Sequence, residues 1–176
     1  MASFAERMIG AAKLEVPIYE EVEHDQNALG QAMGVVILAA IAAGIGSLRG
    51  GPSGFLIGII TALVGWFIWA GIIFIVGTKV MPEPQTKADL GQLLRTMGFA
   101  ASPGLLGVLA IIPFFGWIVR LVVVIWQLIA MVVAVRQALD YQTTGKAVVV
   151  CLLGWLAYMV VAFVVASAMG LTAAIF

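Results

Sequence analysis

Charge is what this sequence has least of. Only 10% of its 176 residues are charged, while 63% are hydrophobic, and the mean hydropathy is +1.13. A soluble domain carries roughly 25% charged residues. With less than half of that, the chain cannot hide its apolar surface inside a water-facing fold and must use lipid as its solvent. Cysteine and histidine occur once each, as Cys151 and His24. A single cysteine excludes an intrachain disulfide and any cysteine-based metal site. The formal net charge is zero, so there is no basic footprint for nucleic acid. No nucleophile–base pair and no phosphate loop can be assembled, so no enzyme activity, cofactor or metal is expected. A secretory leader is not expected either. The first thirty residues are net acidic and lack a short apolar core near Met1.

What is present is apolar sequence in long runs. A helix needs about 20 apolar residues to cross ~30 Å of hydrocarbon. Five stretches fit or nearly fit: about 28–47, 55–76, 98–112, 118–139 and 147–169. The breaks between them, RGGPSG, TKVMPEPQTKADLGQLLRT, PFFG and DYQTTGK, all carry Gly, Pro or charge, as helix ends do. The expected fold is an all-α integral membrane protein with a cytoplasmic arm over 1–27 and a five-helix domain over 28–176. The third stretch is short, and Pro103 lies five residues after Gly98. A tilted or broken span is expected there.

The charges choose a side. With the N-terminus inside, Arg7, Lys13, Lys79, Lys87, Arg95, Arg136 and Lys146 fall on the cytoplasmic face, against Arg49 and Arg120 outside. All nine acids fall on the inner side as well. Recognition through charge is therefore expected at the cytoplasmic face.

The arm begins with SFAERMIGAAKL, an amphipathic helix pattern. Ser3 and Glu6 form a capping box. Phe4, Ala5, Met8, Ile9, Ala11 and Ala12 share one face, suited to a membrane interface or to the protein's own surface. Next comes YEEVEHD, with Glu20, Glu21, Glu23, His24 and Asp25 in one short segment. Anionic headgroups repel such a segment, so it is expected to meet protein. The expected contacts are the chain's own Lys87, Arg95, Arg136 and Lys146. The alternative is a docking patch made by Tyr19, Glu20, Glu21, Glu23 and Asp25. The three glutamates point in different directions on one helix, which disfavours a metal site.

Inside the five stretches there is no Asp, Glu, Lys or His. This disfavours a proton-coupled transporter. The intramembrane polar residues of note are Arg120, which can snorkel outward, and Gln127, expected to bond between helices. Small-residue stripes at Gly30 and Gly34, at Gly54, Gly58 and Ala62, and at Ala162, Ala166 and Gly170 allow close helix contacts. They leave room for a homo-oligomer.

The acidic YEEVEHD segment before span one and RTMGFAASPGLL at span three resemble the Yip (Ypt-interacting protein) family. GFAASP is similar to that family's Gly-Tyr-x-x-x-Pro element, with Gly98 and Pro103 in place and Phe99 replacing the tyrosine. Eukaryotic members carry a longer N-terminus with an Asp-Leu-Tyr-Gly-Pro element and meet Rab-type GTPases, and that element is missing from this sequence. The resemblance implies a compact, prokaryotic-type member in a plasma membrane, N-terminus inside and C-terminus outside. It also implies a non-enzymatic adaptor or organiser whose partners are membrane lipid and another membrane or cytoplasmic protein. Two alternatives remain open: an accessory subunit of a respiratory or photosynthetic complex, and a small-solute channel or transporter.

Overall fold

The computed structural model describes residues 1–47, 51–112 and 114–168. Two short helices, α1 (Phe4–Ala12) and α2 (Val16–His24), precede the long α3 (Ala28–Ser47) and α4 (Gly51–Ile75). α4 runs on through a π turn, Val76–Val80. α5 (Leu90–Phe99) stops at Ala100–Ala101 and resumes as a 3-10 helix, Ser102–Ile111. α6 (Gly116–Ala138) and α7 (Thr144–Ala168) complete the chain. Among the described residues, no strand occurs. Five segments are long and apolar enough to cross a membrane: Ala28–Ile45, Phe55–Val80, Leu90–Ile111, Gly116–Ala138 and Thr144–Val161. Arg49, Pro113, Met169 and Gly170 lie outside the described residues.

The third segment corrects the sequence reading. It begins at Leu90 rather than near Gly98, and so takes in Arg95. Its apolar part is short, but a 3-10 helix rises about 2.0 Å per residue against about 1.5 Å in an α-helix. Ten residues of each span roughly 35 Å, enough for ~30 Å of hydrocarbon. Pro103 does not kink a helix here. It sits in the first turn of the 3-10 segment, where an amide donor has no intrahelical partner to lose. The Ser102 hydroxyl donates to the Phe99 carbonyl at 2.7 Å, covering one of the acceptors freed at the end of α5.

This broken segment is the axis of the bundle. Most of its residues are buried, against about a third or fewer in the most apolar stretch of each of the other four. α3, α4 and α6 pack around it, and α2 joins them over α5. Close approach explains two glycines. A Cβ on Gly98 would lie 2.7 Å from Cβ of Ala32 and 3.1 Å from Cζ2 of Trp66. One on Gly116 would collide with the Ala110 carbonyl oxygen. By contrast, nothing lies within 4 Å of such an atom on Gly30 or Gly58, so those two glycines make no close helix contact within the described chain.

The segment linking α4 to α5 is clipped to the α6–α7 turn. The Tyr141 hydroxyl lies 3.0 Å from the carbonyl of Gly77 and 2.9 Å from that of Met81, sharing its one proton between them. Thr86 donates to Leu139, and Lys146 donates to Pro82 while pairing with Glu83 at 3.4 Å. The π turn is therefore held by groups from the next hairpin.

Candidate functional site: a sealed arm and a mid-span cavity

The capping box forms as the sequence indicates. The Glu6 amide donates to the Ser3 hydroxyl at 3.3 Å, and the Ser3 amide to the Glu6 carboxylate at 2.7 Å. The buried face of α1 differs from the expected apolar one. Arg7, Gly10 and Ala11 are buried, whereas Ile9 is 55% exposed. Arg7 explains the rotation. Its Nη2 lies 2.7 Å from Glu21 Oε1 and 2.8 Å from Asp25 Oδ2, and its Nη1 donates to Gln31 at 2.9 Å. One guanidinium thus joins α1, α2 and the first turns of α3. A planar fork with five donors can do this, and an ammonium cannot. Arg7 also holds the Glu21 and Asp25 carboxyls below the usual carboxylate range.

The expected clamp between the acids and Lys87, Arg95, Arg136 and Lys146 is therefore corrected. Glu21 and Asp25 are taken by Arg7, within the arm. Arg95, which is buried, donates instead to the backbone carbonyls of Val22 and Glu23 at the end of α2. These are acceptors that a helix C-terminus leaves without intrahelical partners, and a cation there also meets the negative end of the helix dipole. Arg136 also serves backbone, donating to the carbonyls of Tyr141 and Gln142 in the turn between α6 and α7. Lys146 serves Glu83, and Lys87 is exposed.

The five residues read as a polar surface separate by depth. Tyr19 is fully buried and donates to the Ala11 carbonyl at 2.9 Å. Glu23 is buried too, and accepts from Gln92 at 3.1 Å. Burial, reinforced by the charge of Asp140, pushes its carboxyl up to about 7. Glu21 and Asp25 are partly covered by their pairing with Arg7. Glu20 and His24 remain exposed. Among the described residues, no group of three His, Cys, Asp or Glu side chains converges as a metal set.

The arm leans into the bundle rather than lying apart from it. The Phe4 ring meets Phe99 edge to face at 6.4 Å, and the Trp126 indole donates to the Ala12 carbonyl at 2.7 Å. Large exposed apolar residues accordingly start only at Leu38 on α3 and stop at Ile129 on α6. The family-like element is buried in this contact: Gly98 sits against Ala32 and Trp66, Phe99 against Phe4, and Pro103 starts the 3-10 helix. Arg120 is exposed near the start of α6.

Deeper lies a cavity of about 550 Å³. It is lined by α3, α4, α6, α7 and the Ala100–Ala101 break, at residues close to the middle of each span. Its wall is apolar apart from a few groups. Gln127 donates to the Ala101 carbonyl across a long 3.4 Å, joining α6 to span three as expected, and also faces the cavity. Trp66, Trp69, Trp155 and Tyr158 supply aromatic surface, with Trp69 and Tyr158 edge to face at 5.8 Å. The indole nitrogen of Trp66 is buried and has no hydrogen-bond partner among the described residues. The exposed lining residues, Val124 and Leu128 on α6 and Trp155 and Met159 on α7, show that the cavity opens sideways between these helices.

The sequence carried a signal for this cavity. Trp and Tyr in membrane helices favour the two interfaces. Trp66 with Trp69, and Trp155 with Tyr158, instead form i,i+3 pairs in mid-span, each on one helix face.

Neither the comparison with curated proteins nor that with solved structures gives a match. A family model, the Yip1 domain, matches residues 18–166, from the second arm helix to the last span. Five apolar helices ordered around a broken third one thus fall almost wholly within the match, and the chain is a multi-pass membrane protein that belongs to the Yip1 domain family.

Proposed function

We propose that this protein is a non-enzymatic membrane adaptor that docks a protein partner on the exposed side of its arm. In this reading the arm is cytoplasmic and the C-terminus lies on the far side, as the clustering of basic residues on one side favours. The membrane is a prokaryotic plasma membrane. The observation that carries the proposal is the division of labour within the acidic segment. Glu21 and Asp25 are spent on Arg7, and Tyr19 and Glu23 are buried, while Glu20 and His24 stand exposed on a helix fixed at both ends. A single exposed carboxylate on a firmly held helix is suited to meet a basic group of a partner, chiefly through on-rate and register. The test is a Glu20→Lys variant, purified gently from its own membrane beside the wild type. Loss of a stoichiometric co-purifying protein, with an unchanged melting temperature, supports docking. An unchanged set of co-purifying proteins overturns it.

The open faces of Gly30 and Gly58 favour a second reading, an accessory subunit with helices of a larger complex packed there. Co-migration at high mass with stoichiometric subunits distinguishes it. A third reading, a small-solute channel, draws on Gln127 at the cavity wall. It requires flux through proteoliposomes of the purified chain, altered by Gln127→Leu.

A further inference from the structure

We infer that the outer face of α1 docks on the bilayer itself. The helix lies in the plane of one leaflet, at the boundary between headgroups and acyl chains, and the acyl chains cover its exposed apolar strip. Three observations carry this. The first is level. α1 crosses the third segment near its break, touching both α5 and the 3-10 half. At one end, a Cβ on Gly34 would lie 3.8 Å from the Phe4 ring. Gly34 stands six residues into α3, about 9 Å along its axis. At the other end, the Ala12 carbonyl accepts from Trp126. Trp126 stands twelve residues before Ala138, about 18 Å along α6. A helical side chain leans toward its own N-terminus, here the Gly116 end, so the carbonyl it reaches is no nearer Ala138. Both anchors thus lie inside membrane-spanning stretches.

The second observation is the division of α1 around its axis. Phe4 and Met8 pack on the bundle. Arg7 and Gly10 face α2, Arg7 through Glu21 and Gly10 against Ile18. Ala5 and Ile9 are exposed and Ala12 is half-exposed, and at 100° per residue they form one strip. Exposed Glu6 and Lys13 border that strip on the side away from the bundle. The order around the helix is bundle, apolar strip, charged edge, α2. A helix lying at a membrane surface against the flank of its own bundle needs that order, with lipid above the strip and water at the edge. The third observation is continuity. Leu38 stands one turn beyond Gly34 on α3, and Val122 one turn beyond Trp126 on α6, and both are exposed. The lipid-facing wall therefore begins directly past each anchor, and acyl chains running along it end on α1. The strip carries no charge, and the edge carries one of each sign. Apolar burial therefore drives the contact, without help from anionic headgroups. The inference is independent of docking at Glu20, which lies on α2.

The test uses the full chain, one copy per nanodisc of zwitterionic phosphatidylcholine, with Cys151→Ala so that a single label reports. A fluorophore is attached through Ile9→Cys, and Ala5→Cys repeats the measurement on the same strip. Leu38→Cys is the lipid reference and Glu20→Cys the water reference. All four positions are exposed, so folding does not depend on them. Quenching is read with a phospholipid nitroxide placed near the headgroup end of the acyl chain, and with aqueous iodide. The Ile9→Cys and Ala5→Cys labels should match Leu38→Cys with the lipid nitroxide. Iodide should quench them at least about fivefold less than Glu20→Cys, as for a helix buried ~5–10 Å into the boundary. Iodide access equal to that of Glu20→Cys would overturn the inference. So would protection from both quenchers, which means that protein covers the strip, or lipid quenching that arises only when anionic phospholipid is added.

Discussion

The Nε of Arg95 donates to the carbonyl oxygen of Val22 at 3.0 Å, tying the middle segment of the bundle to the last turn of the second arm helix. A charged side chain inside an apolar span is costly unless its donors are met. Here the arm meets them, so arm and span stabilise each other. Arg95→Met should remove the tie and leave the α2 carbonyls without their donor, at a cost of about 3 kcal/mol. Limited proteolysis in mild detergent checks it, with new cleavage expected in the arm. Arg95→Lys should recover only part of the protection, because an ammonium cannot reproduce the fork. An arm that stays fully protected in Arg95→Met contradicts this account.

Glu23 gives stability a pH dependence of unusual sign. Its carboxyl ordinarily titrates near 4.5, and in the fold it is pushed up to about 7. Between those values the folded chain holds a proton that the unfolded chain has lost. Its contribution to stability is therefore whole below 4.5 and is lost as pH rises through about 7. Glu23→Gln keeps an acceptor for Gln92 and removes the titration. At pH 8 the variant should be more stable than the wild type by about 1–3 kcal/mol, with no gain below pH 4.5. Thermal melts across that range decide it. Glu21 and Asp25 act in the opposite direction, since Arg7 holds both carboxyls low and their contribution fades as pH falls through the acid range.

Neighbouring glutamates should behave unlike one another. Glu20 is exposed, so Glu20→Lys should change stability by no more than about 0.5 kcal/mol. Glu21 meets Arg7 and also accepts the Ala2 amide at 2.9 Å. Glu21→Lys sets a second cation against a buried guanidinium and should cost about 3 kcal/mol or more. Parallel melts of the two variants give the comparison, and equal losses would contradict the burial described above.

Gly98 should tolerate no side chain. Gly98→Ala places a carbon 2.7 Å from Ala32 Cβ and 3.1 Å from the Trp66 ring, so α3 and α5 must part. Overpacking of this kind costs about 1–3 kcal/mol. Ala32→Gly, made in addition, removes the nearest clash and should recover part of the loss. Independent, additive effects of the two changes would show that the contact is not shared.

Much of this architecture is legible in the sequence. Long apolar runs ended by Gly, Pro and charge are enough to locate spans, and the Ser3–Glu6 pair announces its own cap. The family-like Gly98 and Pro103 are visible because each answers a backbone demand that few other residues meet. The burial of Arg7 is not legible in the periodicity of α1. Its burial follows from acceptors brought by α2 and α3, which a helical wheel of α1 does not contain. The start of span three is masked for a similar reason, since Gln92 and Arg95 interrupt the apolar pattern and their partners lie on α2. The cavity is a volume, and a volume is written only indirectly, in aromatic pairs at mid-span.

The loosely wound half of span three has a mechanical consequence. Rewinding Ser102–Ile111 as an α-helix would shorten it by about 5 Å, close to one α-helical turn. The Phe114–Phe115 corner would then be drawn toward the arm, and the Ala100–Ala101 joint at the cavity wall would turn with it. The loose winding is thus what sets the distance between the arm and the far corner of the bundle.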